Sequence, residues 1–112
     1  MPSFSSKQYD TDWRFSTAVT AATTITIWTP TTSTRVKITG LDIANVSGVS
    51  NTVLITFGNL AGRRVAQYAL EASTTIYPRW ENGIGDGIYD RTVHAVAKAV
   101  PVDITVYGFE IE

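Results

Sequence analysis

The side chains able to do chemistry are few and scattered. His94 is the only histidine, set between Val93 and Ala95 in an apolar run. Catalysis by it would need a nucleophile and an orienting carboxylate, and no spacing supplies either. With one histidine and no cysteine, a zinc or other transition-metal site is not expected. Glu81, Asn82, Asp86 and Asp90 place four oxygen donors close together, but at spacings that match no EF-hand loop. The glycines at 83, 85 and 87 are followed by no lysine and open no helix, so they read as a turn and not as a phosphate cradle. The acidic residues show no paired arrangement of the sort a glycosidase needs. These readings point to a non-enzymatic chain without a cofactor.

Aromatic residues are the other group with binding potential. Trp28, Tyr77, Trp80 and Tyr89 fall at or near the ends of expected strands. There they can fill a core or a subunit interface, or stack on sugar rings. Phe4, Tyr9, Trp13 and Phe15 are spaced irregularly through a polar, small-residue stretch up to Ala22. That pattern suits an extended arm whose aromatics bind a partner or close the end of their own domain. We therefore expect an arm over residues 1–22 and a folded domain over residues 23–112.

Positioning falls to strands. Val102 to Glu112 alternates apolar and other residues at period two, with Val102, Ile104 and Val106 in phase and Phe109 and Ile111 on the opposite parity. Gly108 sits at the apparent change of phase and suggests a bulge or corner. Arg35 to Asn45 repeats the pattern: Val36 and Ile38 are in phase, Gly40 follows, and Leu41 and Ile43 resume on the other parity. Further strands are expected over Thr23 to Trp28, Thr52 to Phe57, Val65 to Leu70, Thr74 to Trp80 and Thr92 to Ala97, with Ile88-Tyr89 as a short one. Pro78 makes its run an edge or bulged strand. Glu81 to Gly87 reads as the richest turn. About eight strands, short connections and no helical period imply an all-β antiparallel sandwich, jelly-roll-like in preference to immunoglobulin-like.

The 112 residues suit one domain. Nine basic and ten acidic residues give a net charge of −1 without any run of like charge, which gives no basis for nucleic-acid binding. No apolar run reaches membrane-spanning length and the N-terminal residues lack the apolar core of a signal peptide. Asn45-Val46-Ser47 matches a glycosylation sequon but reads as a turn.

Taken together, Thr24-Ile-Thr-Ile-Trp-Thr-Pro30, the run Arg35 to Asn45 and the ending Ile104-Thr-Val-Tyr-Gly-Phe-Glu110 resemble small jelly-roll virion proteins of tailed bacteriophages, which decorate or cement a capsid or serve as tail accessories. The resemblance spans about Thr23 to the end and contains no site motif. It implies a virion structural protein made in the host cytoplasm, a homo-oligomer with a trimer favoured, and a capsid or tail protein as partner. A carbohydrate-binding sandwich is the alternative.

Overall fold

The computed structural model describes residues 13–20, 22–58 and 63–112. Phe4 and Tyr9 lie outside them. Among the described residues nine strands follow in order: β1 (Trp13–Val19), β2 (Ile25–Trp28), β3 (Arg35–Asn45), β4 (Asn51–Phe57), β5 (Arg63–Leu70), β6 (Thr75–Ile76), β7 (Arg79–Ile84), β8 (Val93–Ala97) and β9 (Val102–Ile111). They form two antiparallel sheets. One has the order β1-β9-β3-β6, with β7 also on β3; the other has the order β2-β8-β4-β5.

The pairings nest: β1 with β9, β2 with β8, β3 with β6 and β7, β4 with β5. They are the rungs of one long hairpin. Wrapping it lays β9 on β3 and β8 on β4, which gives the two Greek keys of a jelly roll. The expected all-β sandwich is therefore what the chain forms. Strands β6 and β7 share one edge position, split at Tyr77-Pro78 because proline has no N–H for a ladder.

Alternation builds the core. Val36, Ile38, Leu41, Ile43, Val102, Ile104 and Val106 from one sheet meet Val53, Ile55, Phe57, Val93, Ala95 and Ala97 from the other, all buried. Each fully buried Val, Leu or Ile contributes about 1.5–3 kcal/mol. In β3 the buried parity changes after Ile38, where the pairing with β7 and β9 shifts register. The extra residue there turns Leu41 and Ile43 inward, as the phase slip at Gly40 implies.

Three expectations need correction. Trp13 and Phe15 do not lie on an arm: β1 pairs along its length with β9, and Phe15 packs against the core. Without β1 the central β9 would become a free edge. Gly108 marks no phase change, since β9 keeps one buried parity from Val102 through Gly108 to Glu110. Its lack of a side chain makes room for a neighbour instead. A Cβ there would sit 3.0 Å from Cζ3 of Trp28 and 3.1 Å from the Ile38 Cα, and would collide with the Lys37 carbonyl oxygen. Finally, residues 81–84 belong to β7, whereas Ile88 and Tyr89 lie in a loop.

Gly108→Ala must therefore push β9 from β3 or expel the indole, and a stability loss of about 1–3 kcal/mol or more is expected. Thermal denaturation of the purified variant measures it, and an unchanged midpoint would show that the close packing is misassigned.

Candidate binding surface

Trp28 is fully buried, so its indole N–H needs an acceptor inside the protein. Glu110 provides it: Nε1 donates to Oε2 at 2.8 Å. The other carboxylate oxygen accepts from the Thr31 backbone N–H at 3.1 Å and lies 3.2 Å from the Thr34 hydroxyl. That hydroxyl is nearer the Thr31 carbonyl, at 2.6 Å. The ring of Phe15 lies 5.0 Å from the indole, centroid to centroid, tilted by 36°. Trp28 is thus a core residue and no platform for a sugar.

The same carboxylate fixes the 29–34 loop, which in turn holds the 85–92 loop. Ser33 donates its N–H to Asp90 Oδ1 at 2.6 Å, and the Asp90 N–H donates to the Thr34 carbonyl at 2.9 Å. Asp86 has a nearly buried side chain; one oxygen accepts from the Ile88 N–H at 3.1 Å and the other lies 3.1 Å from Arg91 Nε. Arg91 in turn lies against Gly58, its Nη1 2.9 Å from where a Cβ would project. Glycine at 58 both admits that guanidinium and takes a φ of +77°. The Arg35 guanidinium sits 5.0 Å over the Tyr89 ring and donates from Nη2 to the Glu112 carbonyl at 2.8 Å. Ile88 and Tyr89 are nonetheless 45% and 51% exposed. This end of the sandwich therefore displays two large apolar side chains from a loop held in place on several sides.

The opposite end is closed by amides. Asn45 donates to the Val49 and Glu71 carbonyls at 3.0 and 2.9 Å, and accepts from the Ser47 N–H, the Ser47 hydroxyl and Asn51. Asn51 also donates to the Ala99 carbonyl at 2.7 Å and accepts from the Ala99 and Thr52 N–H groups. The sequon asparagine is consequently buried and its amide nitrogen occupied. An open depression of about 660 Å³ lies beside it, near Val49, Leu70, Glu71 and Lys98.

On the outer face of the first sheet, Arg79 lies across Gly40, whose added Cβ would meet its Cδ at 2.7 Å. It pairs with Asp42 at 2.8 Å and donates to the Leu41 carbonyl at 2.7 Å. The Tyr107 hydroxyl donates to the other Asp42 oxygen at 2.6 Å, and Arg79 sits 5.0 Å from the Tyr107 ring centroid. On the second sheet His94 meets hydroxyls, with Nε2 2.6 Å from Thr92 Oγ1 and Nδ1 3.4 Å from Thr26 Oγ1.

The remaining candidates separate. Tyr77 is 63% exposed between β6 and β7, Trp80 is half-buried against the core, and Tyr89 belongs to the loop surface above. Asp86 and Asp90 bind different partners, and no group of three potential metal ligands exists among the described residues. Sequence reasoning missed Glu110, a charged residue on the buried parity of β9. It also treated Ile88 as a strand residue.

No protein-family model and no curated protein matches this chain. Among solved structures it is similar to a Bacillus endospore appendage protein described as belonging to a family of disulfide-linked pili, with 13% identity, a TM-score of 0.49 and coverage of 91% of this chain and 90% of that one. It is also similar to PirA, with 12% identity, a TM-score of 0.49 and coverage of 91% and 97%.

Burial lowers the pKa of His94 below its usual 6.5, because desolvation disfavours the charged ring. The unfolded chain therefore takes up its proton first on acidification, and folding stability falls as the pH drops below about 6.5. His94→Gln should flatten that part of the stability-versus-pH curve, measured by urea denaturation between pH 7.5 and 5. An unaltered slope would assign the dependence to other groups.

Proposed function

We propose that this chain is a non-enzymatic structural subunit that associates with copies of itself and seats on a larger particle. The role is that of a capsid decoration or cement protein, or of a tail accessory, as in the tailed-phage proteins it resembles. The observation that carries the reading is the 85–92 loop. An exposed tyrosine beside an exposed isoleucine, immobilised before any partner arrives, lowers the ordering cost of binding, and a central tyrosine is a common anchor of protein interfaces. The polar groups point the same way: Glu110, Asp42, Asp86 and His94 all have partners within the fold. Trp28, an anchor of the sugar-binding alternative, is buried.

Co-sedimentation of the purified protein with tailed-phage particles tests the proposal. Tyr89→Ala and Ile88→Asp should each weaken binding at least tenfold, since an interface anchor is worth about 2 kcal/mol or more, and neither should shift the melting temperature greatly. Undiminished binding by both variants would remove this loop from the contact. A protein that neither self-associates nor sediments with particles would overturn the structural reading. Deleting residues 1–12 leaves β1 in place and isolates any contribution of Phe4 and Tyr9, whereas deletion through Ala22 removes β1 and is expected to unfold the domain.

A further inference from the structure

The second sheet ends in β5, which pairs with β4 alone among the described strands. Free edges invite pairing with another strand and are usually blunted by charge, proline, bulges or brevity. β2 is four residues long and carries a register shift between Thr26 and Trp28, and the β6 and β7 edge is broken at Pro78. β5 has eight residues. Its one bulge lies toward its start, where Ile55 opposes Ala66 but Thr56 opposes Arg64. From Val65 to Leu70 it has neither a charge nor a proline. Charge sits only at its ends, Arg63 and Arg64 at the start and Glu71 just beyond the finish.

We infer that the β5 edge is a two-fold interface at which a second copy of this chain adds its own β5 antiparallel, making one continuous eight-stranded sheet across the pair. The charges set the direction. An antiparallel partner brings the arginine end of each copy beside Glu71 of the other, twice over, whereas a parallel partner would place like beside like. β1, the other edge strand of comparable length among the described strands, has Arg14 near its start but no acidic residue just beyond its finish, so two copies of it gain no such match. A two-fold axis perpendicular to the sheet also keeps the inner faces on one side. Ala66, Tyr68 and Leu70 of both copies then prolong the apolar interior, while Gln67 and Ala69, both exposed, line the outer face. With the axis at Gln67 the two Gln67 side chains are neighbours. The inference rests on the reading of the chain as a self-associating subunit, and it makes that association two-fold in place of the three-fold implied by the resemblance.

The chain has no cysteine, so Gln67→Cys introduces a unique thiol. Facing residues in an antiparallel pair have Cα atoms about 4.5–5.5 Å apart, within disulfide reach. Oxidation should link the variant into dimers much faster than Ala72→Cys, whose exposed site lies off the edge. In sedimentation equilibrium the wild type should weigh two chains. Arg64→Glu should weaken the dimer roughly fivefold to thirtyfold, because two exposed pairs are lost at once, and Arg64→Glu with Glu71→Arg should recover most of that loss. A wild-type dimer whose Gln67→Cys form links no faster than the Ala72→Cys control, or whose affinity ignores Arg64→Glu, would overturn the β5 interface and leave self-association standing. Open-ended polymers would mean head-to-tail pairing of unlike edges and would overturn the two-fold. A wild type that stays at one chain mass at high concentration would overturn both this interface and self-association.

Discussion

An indole that must be both dry and hydrogen-bonded governs how the two sheets meet. Trp28 comes from the short edge strand β2 of one sheet, and its N–H finds Glu110 on β9 of the other. An unsatisfied buried donor costs about 1–3 kcal/mol, so the carboxylate has to be on the inner face even though a charge there is itself expensive. The ring occupies the room that Gly108 leaves on the same strand, and Phe15 of β1 lies beside it. Because β9 is bonded to β1 on one side and β3 on the other, fitting this one ring sets the spacing of three strands at once.

The accommodation continues into β3. Ile38 stands opposite Gly108 and Gly40 opposite Tyr107, so the irregularity of β3 lies directly beside the packed indole. Beyond it, Asp42 falls on the outer face, within reach of the Tyr107 hydroxyl and of Arg79. The bare Gly40 backbone is what allows the Arg79 side chain to lie flat against the sheet and reach the Leu41 carbonyl. Arg79 is half-exposed, so its pair with Asp42 contributes little as a salt bridge alone. Its effect is to hold β7 to β3 just after the break at Pro78.

How far the sequence could be read follows from these same residues. Gly40 was legible because apolar residues change parity across it, and burial confirms the change. Gly108 offered an identical pattern for a different cause. Phe109 and Ile111 are apolar residues on the outer parity of β9, and both remain partly exposed, so alternation alone pointed to the wrong face. What distinguishes the two glycines is a partner from another sheet, and no local pattern contains that information. Strand β1 was obscured in the same way: Trp13 to Val19 holds serine, threonine and alanine among its aromatics, the composition of a lightly buried edge and equally of a loose arm. The exposed loop surface was half visible. Tyr89 stood out by type, but its display depends on Ser33, Arg35 and Asp90, brought together from opposite sides of the chain by the hairpin's wrapping.

The core and the displayed surface are mechanically connected. From the indole, the Glu110 carboxylate passes to the Thr31 N–H and toward the Thr34 hydroxyl; the 31–34 turn passes through Ser33 and Thr34 to Asp90; and Asp90 adjoins Tyr89 in the chain. Each link is a hydrogen bond to a backbone group or a side chain with few alternatives, so the loop inherits the rigidity of the core and does not rely on its own composition. Gly87 and Asp90 both take positive φ values, 75° and 61°, a region that glycine enters freely and aspartate more readily than most residues, and the Asp90 side chain is further held by the Ser33 N–H. At the opposite end, rigidity has another source, since the Asn45 and Asn51 amides close the loops with their bonding capacity largely used inside the protein. Both ends nevertheless expose two large apolar side chains, Val46 and Val49 at the asparagine end and Ile88 and Tyr89 at the other, so what sets the 85–92 loop apart is its aromatic ring, stacked under Arg35 and carried next to the anchored Asp90.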